Sequence, residues 1–318
     1  MPALTGLWLH QSGALLLGVV AALMFSFADE EGPLTRRLLA LGQIAAGMTV
    51  GGAVGWALGH YGPVFWVLFV SGALAAAWLN RSGKTPHIGA RIAVMALAIT
   101  AGTQAVSLTE ALFGAGALAV VVVVRLVDHA IFGPLPPSSL SPRRSAPESD
   151  ALWARYAIAY AAAAAIGLWV GTWFDPQHAI WVAITSLVVM QPDDRSNYRR
   201  IFERVIGTIV GVAAAFVLTQ LVRSLPLTVA ALLITAAALP HHIPLRYWLH
   251  TAAIALLVLL TYDLASRAVG APPELAPALF TERLVDVLIG CALAFAATEL
   301  AFPWRELRER VGNGQRPG

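Results

Sequence analysis

Long apolar segments separated by short polar ones make up most of this chain. Each segment is close to the roughly 20 apolar residues that a helix needs to cross a bilayer. The pattern predicts eleven spanning helices, at 12–28, 37–59, 63–79, 91–108, 110–132, 152–173, 178–190, 200–222, 227–240, 247–262 and 281–302. Two of them, 178–190 and 227–240, are short for a full span, and short segments beside prolines often border a transport path.

Residues 134–151 interrupt this pattern with a Pro- and Ser-rich stretch, so we expect a flexible linker there. On each side of it, two acids precede two arginines at the start of a Gly-rich segment. These charges are Asp29, Glu30, Arg36 and Arg37 before the linker, and Asp193, Asp194, Arg199 and Arg200 after it. The sequence therefore predicts two parallel repeats, of five helices in 1–133 and of six in 152–303, followed by a tail at 304–318.

The composition agrees with an all-α, polytopic membrane protein embedded in the lipid bilayer. The chain is 58% hydrophobic and 12% charged, whereas a soluble domain is about 45–50% apolar and about 25% charged. Its basic residues do not form runs with aromatic residues, which argues against nucleic-acid binding. The single cysteine, Cys291, rules out an intrachain disulfide. Since no phosphate loop, GxSxG or HExxH pattern occurs, we expect neither an enzyme nor a cofactor.

The basic residues also predict an orientation, because short loops rich in Lys and Arg stay in the cytoplasm. Of the 21 basic residues, all except Arg223, Arg267 and Arg283 fall on one side of the predicted arrangement. We therefore expect the N-terminus outside and the C-terminus in the cytoplasm. No Lys or Arg precedes the apolar residues 14–25, so we expect an uncleaved first helix rather than a signal peptide.

A cluster of charges lies around the boundary between the predicted helices 178–190 and 200–222. It contains Asp193, Asp194, Arg195, Arg199, Arg200, Glu203 and Arg204. On a helix, Arg200 and Arg204 share one face, and two arginines that face a cavity can bind a carboxylate. The alternative is that the arginines anchor the helix at the lipid headgroups. We favour this anchoring role for Arg199 and expect Asp193 and Asp194 to serve as supporting ion-pair partners.

Two further charged groups lie near predicted helix ends. Arg283 and Asp286 occupy the outer start of the last helix, where Arg283 departs from the charge bias and can receive or release an anion. Asp286, if buried, can carry a proton, since burial disfavours the charged carboxylate. A local Arg–Asp pair is the alternative. The other group, Arg125 to His129 with Asp128, we expect to cap the end of the fifth helix.

Two other patterns are expected to be structural. His241 and His242 lie beside Pro240 and Pro244, in what we expect to be a loop, and His250 follows in the next predicted helix. No acid or cysteine joins these three histidines at ligand spacing, so we expect no metal site. The glycines at 47, 51 and 55 form two overlapping GxxxG patterns. Such patterns allow close helix contact, either within one protomer or between two.

A series of residues in the second half carries a family resemblance. They are Trp181, Thr185, Gln191, Pro192, Arg200, Arg204, Gly207, Thr208 and Gly211, followed by Tyr247, Thr251, Thr261, Arg283, Gly290 and Pro303. At these positions the segment 152–303 resembles the membrane module of the fusaric acid resistance family, which includes bacterial aromatic acid exporters. The resemblance implies a helical module of the bacterial inner membrane that exports small organic acids, often aromatic carboxylates. The plant malate channels look like a distant, dimeric version, which suggests a homodimer.

These charge and aromatic patterns give candidate roles to single residues. The candidate substrate-binding residues are Arg200, Arg204, Arg283, Trp181 and Gln191, and Asp286 is the candidate proton carrier. Trp181 either stacks on an aromatic substrate or belongs to the aromatic belt at the membrane surface. Family members usually carry a sizeable cytoplasmic domain, so the resemblance implies either a separate soluble or periplasmic partner subunit or a reduced member of the family. An anion channel and a non-transporting scaffold that needs a partner chain remain the alternatives.

Overall fold

The computed structural model describes residues 21–22, 24–25, 33–60, 62–81, 84–101, 108–133, 149–174, 179–192, 194–222, 224–242, 246–268 and 275–302. Within these ranges the chain is helical and contains no strand, which confirms the all-α prediction. The helices are α1 (Leu34–Leu58), α2 (Gly62–Leu79), α3 (Lys84–Ala101), α4 (Leu108–Phe132), α5 (Asp150–Phe174), α6 (Ile180–Val189), α7 (Asp194–Leu221), α8 (Leu225–His242), α9 (Tyr247–Ala268) and α10 (Leu275–Ala301).

Seven stretches of the described chain are helical, long and apolar enough to cross a membrane. They are Leu34–Leu58, Gly62–Leu79, Gly114–Ile131, Asp150–Phe174, Asn197–Leu221, Tyr247–Arg267 and Leu279–Ala301. Three shorter apolar helical stretches accompany them, at Pro86–Ala101, Ile180–Val189 and Leu225–Ala236. The protein is therefore a multi-pass membrane protein. The count of eleven spans stays a prediction, since most of 12–28 lies outside the described residues, as do the tail and most of the linker.

Several helices begin earlier in the chain than the apolar pattern predicted. α3 begins at Lys84 instead of residue 91, α7 at Asp194 instead of 200, and α10 at Leu275 instead of 281. The reason is that the first turns of these helices are polar or contain proline, so they give no hydrophobic signal. As a result Arg283 lies about 12 Å along its helix, at a rise of 1.5 Å per residue, and not at its start.

One other predicted detail was wrong. α8 continues to His242, so His241 and His242 lie in its last turn and not in a loop. Asp128, near the end of α4 as predicted, also joins two helices, because its Oδ2 accepts a hydrogen bond of 2.9 Å from Nη2 of Arg37 in α1.

Small residues bring α1 against α3, and α7 against α9. A Cβ added at Gly51 of α1 would lie 2.8 Å from the Cα of Ala93 in α3. A Cβ added at Gly211 of α7 would lie 2.7 Å from the Cβ of Ala255 in α9. Glycine is needed where two backbones approach this closely. The GxxxG patterns of α1 therefore make contacts within one protomer.

The ten-residue helix α6 lies inside the bundle, packed against α5, α10 and α3. Val182, Ala183, Leu187 and Val189 have no exposed surface. A Cβ on Gly290 of α10 would lie 2.6 Å from the Cβ of Thr185, which shows how closely α10 approaches α6. This contact determines which side chains of the two helices meet.

Candidate functional site

One face of α10 carries Arg283, Asp286 and Gly290, because residues three, four and seven apart lie on the same side of a helix. Gly290 contacts Thr185 of α6. Trp181 precedes Thr185 by one turn, and its ring therefore faces Arg283. The Cζ atom of Arg283 lies 4.1 Å from the centroid of this ring, within the range of a cation–π contact.

A second buried arginine, Arg204 of α7, lies close to Arg283. The side chains are 4% and 6% exposed, and their positive charges interact. The Nε atom of Arg204, and the Nε and Nη1 atoms of Arg283, are buried without a hydrogen-bond partner in the part of the chain that the structure describes. Burial of an unsatisfied guanidinium N–H group is costly. Two such groups, whose positive charges interact, form a site that an anion would stabilise.

A small cavity borders Arg283. Its lining residues are Trp181, Val258, Leu259, Tyr262, Leu279, Glu282, Arg283 and Asp286. Its volume of about 20 Å³ is enough for one water molecule but too small for an organic acid. Asp286 is 2% exposed and acts electrostatically on Arg283. The cavity therefore combines an apolar wall with a cation and a carboxyl group, in a space smaller than an organic anion.

Arg200 lies one turn before Arg204 on α7. Its Cζ atom lies 5.0 Å from the ring centroid of Tyr247, and its charge interacts with that of Arg91 in α3. Arg91 is 8% exposed, and its Nη1 lies 3.4 Å from the carbonyl oxygen of Leu187 in α6. We name the series Arg91, Arg200, Arg204 and Arg283 the arginine row. Its members come from three helices, with Arg91 in α3, Arg200 and Arg204 in α7, and Arg283 in α10.

The sequence analysis did not predict Arg91 as a site residue, because it was assigned to the cytoplasmic boundary of a helix. With α3 beginning at Lys84, Arg91 lies two turns inside the helix. The one available signal was an arginine directly beside a long apolar segment, which marks a functional candidate in a membrane helix.

The other predicted site residues make different contacts. Arg199 is exposed, and its Nε donates a 2.6 Å hydrogen bond to Glu203. Gln191 is buried, but its Nε2 donates to the carbonyl oxygen of Met190 at 2.9 Å, and its own carbonyl accepts from Nδ2 of Asn197 at 2.7 Å. Gln191 thus holds the turn between α6 and α7. Asp193 and the side chain of Asp194 lie outside the described residues.

The apolar helices and their interior arginines define a helical, multi-pass membrane protein with a candidate anion site. The family model described as fusaric acid resistance protein-like matches residues 158–297. This match confirms the resemblance to the fusaric acid resistance family that was predicted for the second half. It includes Arg200, Arg204 and Arg283 but not Arg91.

Two curated relatives match the chain. Inner membrane protein YccS of Escherichia coli (strain K12) is 36% identical over 126 residues, which is 40% of this chain and 16% of YccS. An uncharacterized protein of Haemophilus influenzae is 30% identical over 129 residues, which is 40% of this chain and 17% of that protein. The chain therefore matches less than a fifth of each relative's length. No solved structure matches the chain.

Proposed function

We propose that this protein lies in the bacterial inner membrane and exports small organic anions along the arginine row. The observation that carries the proposal is the buried pair Arg204 and Arg283, whose guanidinium N–H groups lack partners among the described residues. Charged residues inside a membrane protein mark ion or substrate pathways, and a guanidinium binds a carboxylate through two parallel hydrogen bonds. The inner-membrane location is supported by the name of YccS and by the seven apolar helices.

The lining of the cavity supports a carboxylate with an apolar or aromatic body as the substrate. Val258, Leu259 and Leu279 supply an apolar wall, and Tyr262 supplies a second aromatic ring. One face of Trp181 is covered by Arg283, so a substrate ring stacks on Tyr262 or on the outer face of the guanidinium. Since the cavity holds about one water molecule, the helices must separate to admit such a substrate. A carrier that alternates between closed and open forms agrees better with this volume than a permanently open channel.

Asp286 is the proton carrier in this mechanism. Its carboxylate attracts Arg283, so it competes with the carboxylate of the substrate for the same guanidinium. Protonation of Asp286 removes this competition and strengthens anion binding, whereas loss of the proton favours release. The proton and the anion therefore move in the same direction, so net export is driven by the outward concentration gradient of the anion.

Two parallel repeats, with a cytoplasmic C-terminus, complete the proposed architecture. In both halves a Gly-rich helix packs on the helix two positions later, through Gly51 in α1 and Gly211 in α7. In both halves the start of that Gly-rich helix also bonds to the end of the helix three positions later, which is α4 for α1 and α10 for α7. Arg37 pairs with Asp128, and the Tyr198 hydroxyl donates to Glu299 at 2.6 Å. A homodimer remains part of the proposal through the family resemblance.

The second candidate is a non-transporting subunit that works with a partner chain. It is supported by YccS, in which the segment that this chain resembles makes up 16% of the length and therefore stands beside other parts of that protein. In that case the arginine row would bind an anion for stability or assembly. Transport by the isolated chain separates the two candidates.

The test is flux of benzoate and of malate, in separate runs, through proteoliposomes with an imposed pH gradient. Wild type is expected to move benzoate, and Arg204→Gln and Arg283→Gln are expected to lose at least about tenfold in rate, because each removes hydrogen bonds to a charged ligand. Arg246→Gln, at an exposed arginine, is the control for loss of one positive charge. Absence of flux in wild type for a series of weak acids would contradict transport and favour the subunit.

A further inference from the structure

Arg91 and Arg200 bring two positive charges together at a point separate from the cavity beside Arg283. Arg91 comes from α3 and Arg200 from α7, and their charges interact. The Nε atom of Arg91 is buried without a hydrogen-bond partner among the described residues. Its Nη1 makes a long contact of 3.4 Å to the carbonyl oxygen of Leu187, and the guanidinium also interacts with the Tyr160 hydroxyl. This guanidinium therefore has donor capacity to spare, although it is 8% exposed.

Three tyrosines surround the two arginines. The Tyr160 hydroxyl donates to the carbonyl oxygen of Leu187 at 2.9 Å and interacts with Arg91. The rings of Tyr156 and Tyr160 are 5.7 Å apart, and Tyr156 and Tyr247 both act on Arg200. The Tyr247 hydroxyl is buried and has no hydrogen-bond partner in the described part of the chain. Unsatisfied N–H and O–H donors therefore meet here.

The described acids do not balance this charge. Glu203 acts on Arg200, but its Oε1 is already bonded to the exposed Arg199 at 2.6 Å. Two like charges repel strongly where little water is present. A bound anion would reduce that repulsion and accept hydrogen bonds from the free donors.

We propose that Arg91, Arg200 and Tyr247 form a second carboxylate subsite, which holds the organic anion before it reaches Arg204 and Arg283. Arg200 and Arg204 are four residues apart on α7, so a carboxylate moves about 6 Å along the helix between the subsites. The inference rests on the proposed function because it assigns the same substrate class to a second place on the same path. It also means that the first half of the chain, outside the matched residues 158–297, contributes to substrate binding.

The experiment is isothermal titration calorimetry of the purified full chain with benzoate. Wild type is expected to bind two benzoates per chain, and Arg91→Gln and Arg283→Gln are each expected to bind one. Arg91→Lys keeps the charge but loses the planar fork, so it is expected to keep the second site with weaker affinity. Tyr247→Phe, which removes one hydroxyl, is expected to weaken the second site by about threefold to tenfold. If Arg91→Gln does not fold, the affinity of Tyr247→Phe for benzoate tests the second site instead. Arg246→Gln is expected to keep both sites.

The outcomes separate this inference from transport. Two sites in wild type and one in Arg91→Gln support the subsite even if proteoliposomes show no flux, a result that would count against transport alone. Two sites in a folded Arg91→Gln, or unchanged affinities in Tyr247→Phe, would overturn the subsite even if flux is normal. A single site in wild type would overturn it as well.

Discussion

The guanidinium of Arg283 lies over the indole ring of Trp181, with 4.1 Å between Cζ and the ring centroid. The contact joins α10 to the short helix α6 and fixes the direction in which the buried guanidinium points. Three of the five N–H donors of Arg283 belong to Nε and Nη1, which have no partner among the described residues. In this arrangement Trp181 positions the arginine, rather than offering a free face to a substrate.

Replacement of Trp181 by leucine is expected to reduce benzoate flux by at least about tenfold, because a desolvated cation–π contact contributes about 2 kcal/mol or more. Trp181→Phe keeps a ring and is expected to lose less. The control is Trp173→Phe, at a tryptophan that is 73% exposed. Equal flux in Trp181→Leu and wild type would mean that Arg283 needs no help from the indole ring.

Asp286→Asn is expected to make benzoate flux independent of the pH gradient. The amide has the shape of a protonated carboxyl group, so Arg283 remains available to the anion at every pH. The measurement compares flux with and without the gradient, in the variant and in wild type. Asp150→Asn, in an exposed ion pair with Arg81, is the control, and a gradient response preserved in Asp286→Asn would exclude Asp286 as the proton carrier.

Arg199 and Arg204 are expected to differ sharply although they lie five residues apart. The Arg199 side chain is 74% exposed in its ion pair with Glu203, so Arg199→Gln is expected to change stability by less than about 1 kcal/mol and to keep flux. Arg204 is 4% exposed with an unpartnered Nε, so Arg204→Gln is expected to abolish most flux. Thermal unfolding and flux of both variants provide the comparison. A loss of flux in Arg199→Gln equal to that in Arg204→Gln would argue against a buried path.

Hydropathy alone predicted the apolar part of most described helices but not their polar ends. α1, α2 and α5 begin within three residues of the predicted positions, whereas α7 begins six residues early inside the charged cluster. The candidate arginines Arg204 and Arg283 were found because charge is rare in apolar segments. The part played by Arg91 depends on Leu187 and Arg200, which lie on other helices. The spacing of apolar residues along one helix carries no information about contacts with side chains on other helices.

Gly290→Ala is expected to destabilise the protein and to disturb the site from a distance. The added Cβ would lie 2.6 Å from the Cβ of Thr185 and 2.7 Å from the carbonyl oxygen of Val182. Overpacking of this kind typically costs about 1–3 kcal/mol, and it would push α10 away from α6, which separates Arg283 from Trp181. Gly114→Ala is the matched control, because nothing lies within 4 Å of a Cβ at that position. The thermal unfolding temperature is expected to fall for Gly290→Ala and to stay constant or rise for Gly114→Ala. If both variants unfold like wild type, the close approach of α10 to α6 does not hold in the membrane.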